Sequence, residues 1–258
     1  MLIFDSHAHY DDDMYKDDID ELIKEFKKNN VIGIINCGVD HDSCLSTIDL
    51  IKRYDIFYGS IGFHPESSHS FCDDSLDFLN RLKYNNNKII AIGEIGLDYY
   101  HKEISPKEHQ IKVFEYQMKL AKDLNLPVIV HDRDAHKDTL DSIKKFKGLK
   151  GVMHAFSGSS ELAKEYIKLG YYIGIGGVAT FKNSKKIIDV IRDIDIQNIL
   201  VETDAPYMTP EPFRGKRNRS DYIYYVIDKI SSIKNIDAEE LSKILIDNSF
   251  NLFNIVLN

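Results

Sequence analysis

The chain is short of the features that mark several functional classes, and each shortage narrows the reading. It has no tryptophan and only three cysteines, Cys37, Cys44 and Cys72. An odd number without C-x-x-C spacing indicates neither a disulfide framework nor a zinc knuckle, and free thiols suit a reducing cytosol. No run of about eighteen apolar residues occurs, so no membrane span or membrane partner is expected. The amino terminus enters an apolar strand pattern with no basic region before it, so no signal peptide is expected and a cytoplasmic location is. Positive charge is in deficit, with 33 Lys and Arg against 41 Asp and Glu and a net charge of −8. Such a chain does not coat nucleic acid, and a polyanionic substrate would need a local basic patch. Richness in Lys, Asn and Ile points to an AT-rich genome rather than to an activity.

Two motif classes are also missing. Gly174-Ile175-Gly176-Gly177 lacks the G-x-G-x-x-G spacing of a nucleotide cradle. No G-x-S-x-G elbow occurs, which argues against a serine hydrolase. No linker or low-complexity stretch interrupts the chain, so residues 1–258 are read as one domain.

What the chain does contain is a regular alternation. Apolar runs near 2–6, 31–37, 57–63, 88–94, 127–131, 151–155, 171–176 and 198–203 read as eight strands. Amphipathic stretches such as 17–29, 106–124 and 161–169 lie between them, and Ile111, Phe114, Met118 and Ala121 form one stripe of the second. Continuous apolar strands alternating with helices indicate a parallel sheet covered on both faces. Eight such units predict an α/β fold, a single (β/α)₈ TIM-type barrel, over the rival doubly wound open sheet. Segment 205–219, with three prolines, is a long irregular loop of the kind that carries function. Helical patterns at 221–233 and 238–253 close the chain.

Imidazoles and carboxylates follow the apolar runs one after another. The C-terminal ends of barrel strands open onto one face, so these groups converge on one pocket. His7 and His9 are two apart and point to one side of a strand, where both can reach one ion. Glu94, between Gly93 and Gly96, has two oxygens and can bridge two cations. His131 and His154 end successive strands and suit metal ligation through neutral imidazole. Glu202 and Asp204 share a side at the last strand. Asp204 is the first choice for ligand and general base, and Glu202 for orienting a ligand histidine from behind. Ser157-Gly158 is read as the start of a helix. Asp98 serves either the site or its loop. His64 has three open roles: contacting a substrate phosphate, protonating the leaving oxygen, or holding the loop. Arg133 is an oxyanion-clamp candidate, and Arg214, Lys216 and Arg217 form a basic stretch beside the eighth strand, suited to phosphate contact. His41, His69, His101, His109 and His136 receive no chemistry.

The stretches FDSHAHYDD (4–12), GFHP (62–65), GEIGLDYY (93–100), PVIVHDRDA (127–135), HAFSG (154–158), ETDAPYMTP (202–210) and RGKRN (214–218) resemble the TatD-related metal-dependent hydrolases, usually described as deoxyribonucleases. The likeness covers nearly the whole chain in order. One departure is Asn218-Arg219-Ser220, where the family pattern has a proline soon after the asparagine. The resemblance implies a TIM-type barrel with two divalent cations (Zn²⁺, Mg²⁺ or Mn²⁺). His7, His9, Glu94 and Asp204 would hold the first, and Glu94, His131 and His154 the second. The expected activity is phosphodiester hydrolysis of DNA, single-stranded or at 3′ ends, through a hydroxide bridging the ions, with weak binding of shallow salt dependence. The alternatives are hydrolysis of a small ester, amide, lactone or phosphotriester, removal of a misattached D-amino acid from tRNA, and a non-catalytic barrel. No obligate protein partner is implied.

Overall fold

Short β-branched runs separated by amphipathic stretches build a barrel of alternating strands and helices. The computed structural model describes residues 1–101 and 103–256. Its strands are β1 (Ile3–Ala8), β2 (Val31–Cys37), β3 (Phe57–Ile61), β4 (Ile89–Asp98), β5 (Val128–Arg133), β6 (Gly151–Met153), β7 (Tyr171–Ile175) and β8 (Ile199–Val201). All are parallel and neighbour one another in sequence order. Ala8 and Ala205 form a parallel bridge just past β8. The His9 N–H donates to Ala205 O at 2.7 Å and the Asp204 N–H to His7 O at 3.0 Å. These bonds bring the first strand against the last and close the (β/α)₈ barrel.

The helices are α1 (Ile19–Lys28), α2 (His41–Arg53), α3 (Ser75–Tyr84), α4 (Lys107–Asp123), α5 (His136–Lys145), α6 (Ser160–Lys168), α7 (Lys185–Asp193), α8 (Ile223–Lys234) and α9 (Ala238–Phe253). Among the described residues no helix is long and apolar enough to cross a membrane. Each outer helix turns one stripe inward, as α1 does with Leu22, Ile23 and Phe26. A second, smaller cluster gathers Phe4, Ile35, Ala91, Ile129, Val152 and Leu200 with Ile246, Leu252 and Phe253 of α9. These strand residues come from six of the eight strands and form the barrel's inner layer, which α9 covers. Phe4 meets Phe250 edge-on at 5.5 Å, an arrangement that aromatic quadrupoles favour.

The inner layer sets the position of the site. Ile129, Val152 and Leu200 lie two residues before His131, His154 and Glu202, so strand alternation carries those polar groups to the same inner side. β4 breaks the rule. Alternation from Ala91 would bring Gly93 and Ile95 inward, but the β4–β5 register shifts between Ile92 and Ile95, where the Gly93–Glu94 peptide is cis. β4 continues past Glu94 to Asp98, so Glu94 sits inside a ten-residue strand rather than at the end of one, a correction to the predicted 88–94. The start of α6 is also corrected. Ser159 is its N-cap, accepting from the Leu162 N–H, and Ser157-Gly158 stays in the loop before it.

Candidate metal centre

Glu94 lies at the middle of the barrel mouth, buried, with imidazoles on both sides. Its Oε2 is 3.4 Å from His7 Nε2 and 3.5 Å from His9 Nε2. Its Oε1 is 2.9 Å from His131 Nδ1, 3.6 Å from His64 Nε2 and 3.8 Å from His154 Nε2. Asp204 Oδ1 approaches the same group, 3.7 Å from His7 Nε2, 3.6 Å from His9 Nε2 and 3.8 Å from His154 Nε2. Among the described residues, three sets of donor atoms that include Glu94 or Asp204 are close enough to share an ion: His7, His9 and Asp204; His7, Glu94 and His154; and His64, Glu94 and His131.

The second nitrogen of each ring is held from behind. His9 Nδ1 faces Cys37 O at 2.9 Å, an acceptor only, so the proton sits on Nδ1 and the Nε2 lone pair points inward. His7 Nδ1 is 3.4 Å from Cys37 Sγ. His131 Nε2 is 3.2 Å from Asp98 Oδ2, which leaves Nδ1 for the centre. His154 Nδ1 is 3.1 Å from Glu202 Oε1, within ion-pair range but off the line of a hydrogen bond. Glu202 Oε1 also accepts the Ala155 N–H at 2.6 Å, and its Oε2 is buried without a partner among the described residues. His64 is the exception. Its Nδ1 accepts the Glu66 N–H at 3.2 Å, which places the ring proton on Nε2.

The donor set fits divalent cations. His7 Nε2 and His9 Nε2 meet tip to tip at 3.0 Å, where two lone pairs repel unless a proton or a cation lies between them. Imidazole and carboxylate together suit Zn²⁺ or Mn²⁺, and the carboxylates also admit Mg²⁺. Electrostatics support this. Burial alone would raise the Glu94 carboxyl, but His64, His7 and His154 hold it well below the usual range. Burial would likewise lower His131 and His154. Asp98 and Glu94 instead lift His131 to about 10, and Glu202, Glu94 and Asp204 lift His154 to about 9. Surrounding carboxylates thus favour positive charge at these rings.

Residues 4–254 match the family profile described as TatD related DNase. The chain belongs to this TatD-related family. The uncharacterized metal-dependent hydrolase YabD of Bacillus subtilis is 40% identical over 256 residues, covering 98% of this chain and 100% of YabD. The uncharacterized metal-dependent hydrolase YcfH of Escherichia coli is 33% identical over 260 residues, 99% of this chain and 97% of YcfH. Among solved structures, the TatD homologue YjjV of Escherichia coli superposes with a TM-score of 0.93 at 31% identity, covering 98% of both chains.

Within this TatD-related barrel, the structure brings His7, His9, His64, Glu94, His131, His154 and Asp204 together, with Glu202 behind His154. Asp204 reaches the centre by a different route from the expected strand alternation. β8 ends at Val201, Asp204 adopts φ 56°, and the Thr203 hydroxyl turns away to donate to Asp5 Oδ2 at 2.6 Å. Asp98 takes both roles left open for it, since Oδ2 faces His131 and Oδ1 accepts the His101 N–H at 2.9 Å. His101, given no chemistry from the sequence, groups with Glu66 and Asp98 at the rim. Arg133 lies over the Tyr100 ring at 4.0 Å, Arg214 over Phe181 at 4.3 Å and Lys216 over Phe213 at 5.3 Å. Arg217 is the clear departure. Its Nη1 and Nη2 both donate to Asp18, and Nη1 also donates to Met14 O, so it ties the loop to the start of α1.

Several buried amides that sequence reasoning passed over hold the site's backbone. Gln117 of α4 accepts the Phe63 N–H at 2.7 Å and donates to Phe63 O at 3.0 Å, fixing the residue before His64. Two helical turns earlier, Gln110 makes the same pair with Asp98, both at 2.9 Å. Asn218 donates to Thr203 O at 2.8 Å and to Tyr207 O at 2.7 Å, on either side of Asp204. The only available signal was a short amide in an otherwise apolar stripe or, for Asn218, at the end of the basic run.

Proposed function

We propose that this protein hydrolyses phosphodiester bonds of DNA in the cytosol, removing nucleotides from the 3′ end of a single strand with two divalent cations (Zn²⁺, Mg²⁺ or Mn²⁺). The observation that carries the reading is Glu94, whose two oxygens face two different imidazole sets. A carboxylate shared in this way suits paired ions of the kind that serve phosphate-ester hydrolases. His7, His9, Glu94 and Asp204 would hold one ion and Glu94, His131 and His154 the other. When bound, the ions supply positive charge to the phosphate and make water more acidic.

The chain's own groups supply the rest. Although burial opposes it, His154 and His9 keep the Asp204 carboxyl below its ordinary value, so it is an anion at neutral pH and can accept the attacking water's proton. Burial and the neighbouring His131 push His64 down to about 3. It is thus a neutral Nε2–H donor, fitted to a phosphate oxygen and unsuited to acid catalysis at neutral pH. Glu202 holds His154 and the Ala155 N–H in place. Arg133, Arg214 and Lys216 would serve as contacts for further phosphates.

The test is digestion of a 5′-labelled single-stranded oligodeoxynucleotide with Mg²⁺, Mn²⁺ or Zn²⁺, comparing wild type with Asp204→Asn. Progressive shortening in wild type, reduced at least about a hundredfold in the variant, is expected. DNA left intact by metal-loaded wild type under all three ions would refute the reading.

A further inference from the structure

A cavity of about 280 Å³ opens directly beside Asp204 and Glu202, between the loops that follow β6, β7 and β8 and the first turn of α7. A group attached to a phosphate at the centre has this space as its immediate neighbour. The walls are apolar, from Phe156, Val178, Ile187 and Met208. The rim is polar, with the Ser157 hydroxyl, the Asn183 amide and the Lys186 ammonium, none of which has a hydrogen-bond partner among the described residues. At the inner end the buried Glu202 Oε2 is also unpartnered. Two wall residues, Ala155 at φ 42° and Met208 at φ 53°, hold the left-handed backbone conformation without the side chain of an Asn or Asp to favour it. Strain of this kind persists where the surrounding structure enforces a shape, and it gathers at binding sites.

Apolar walls with donors at the edge match a heterocyclic base, whose faces are apolar and whose rim carries acceptors. The volume is just under the roughly 300 Å³ where small-ligand pockets begin, room for one base and not for two. Apolar contact accepts every base face, so the pocket would grip without reading sequence. We propose that this cavity is the subsite for the nucleobase on the non-leaving side of the phosphate under attack. The proposal rests on the phosphodiester function proposed above.

Gly176 offers a clean probe. Its φ is −110°, and the atoms nearest a Cβ there would be Glu202 O at 3.5 Å, Glu202 Cγ at 3.7 Å and Glu202 Oε1 at 4.0 Å, ordinary contact distances. Gly176→Val therefore narrows the cavity without backbone strain. Two chromogenic esters with one leaving group, thymidine 5′-(4-nitrophenyl phosphate) and methyl 4-nitrophenyl phosphate, isolate the base. In wild type the thymidine ester should have about a tenfold or greater advantage in kcat/KM, falling below about threefold in Gly176→Val. The exposed double variant Asn183→Ala/Lys186→Ala should also shrink the ratio, and it carries the test if Gly176→Val does not fold. An unchanged ratio in the folded variants overturns the subsite and leaves the phosphodiester function intact. If wild type hydrolyses neither ester, the DNA digestion described above decides the phosphodiester function, and saturation-transfer NMR with thymidine alone decides the subsite. Binding lost in the variants retains it as a nucleoside site, and no binding to wild type overturns it.

Discussion

Replacing Asn218 with Ala tests whether the loop after β8 is held by one buried amide. Asn218 is fully buried and makes three side-chain hydrogen bonds, to Thr203 O, to Tyr207 O and from the Arg219 N–H at 2.8 Å. A neutral hydrogen bond contributes about 1 kcal/mol net, and each buried carbonyl left unpaired costs about 1–3 kcal/mol. Water entering the vacated space offsets part of that, so the loss should be about 3–5 kcal/mol. For a chain of this size the melting temperature should then fall by roughly 6–15 °C. Because the two carbonyls flank Asp204, kcat should also drop, by roughly tenfold to a hundredfold, through misplacement of its carboxylate. Asn218→Asp keeps the shape and the acceptor for Arg219, but turns a charged oxygen toward two carbonyls, and should be no more stable than Asn218→Ala. Thermal unfolding by circular dichroism, with urea titration for the free energy, gives the numbers. A loss below about 1 kcal/mol for Asn218→Ala would refute the reasoning.

Two further predictions concern the centre. Asp98→Asn turns an amide N–H toward His131 Nε2, which forces the ring proton onto Nδ1, the nitrogen that faces Glu94. Affinity for one of the two proposed cations should fall about 10- to 100-fold with the other nearly unchanged, as read by calorimetric titration with Mn²⁺; equal weakening of both sites would contradict the tautomer argument. The metal-free protein should also respond to pH. His131 and His154 lie near 10 and 9 when folded, above the ordinary 6.5. The stability they confer is complete below pH 6.5 and is lost as pH rises through 9 to 10. The melting temperature in chelator should therefore decline over that window, while added cation, which displaces these protons, should flatten the curve; a rise in chelator would show the assignment to be wrong.

Much of this was legible in the sequence because strands obey a period of two. His131, His154 and Glu202 follow inward apolar residues at that spacing, so their convergence needed only the barrel topology. Glu94 was found by its chemistry and flanking glycines, but its position inside β4 was not, because a register shift leaves no mark on composition. Arg217 was misread for a related reason. A run of basic residues says nothing of a carboxylate 199 positions away, and Asp18 neutralises it. Gln110 and Gln117 in an apolar stripe, and Asn218 at the end of a basic run, look like surface positions until their backbone partners are known. Ser159, two residues past the expected helix start, shows the usual uncertainty of element boundaries.

The seam between β1 and β8 carries one last consequence. His7 and His9 stand on one side of it and Asp204 on the other, and their backbones make the bonds that shut the barrel. Glu94, His131 and His154 come from adjacent strands in the middle of the chain and can assemble early. A chain clipped before Asp204 keeps five of the six donors, His7, His9, Glu94, His131 and His154, and loses both the sixth and the seam that sets His7 and His9 against it. The donor set is therefore complete only once the strand order is, because the contacts that close the barrel are also those that bring its last ligand candidate to the first two.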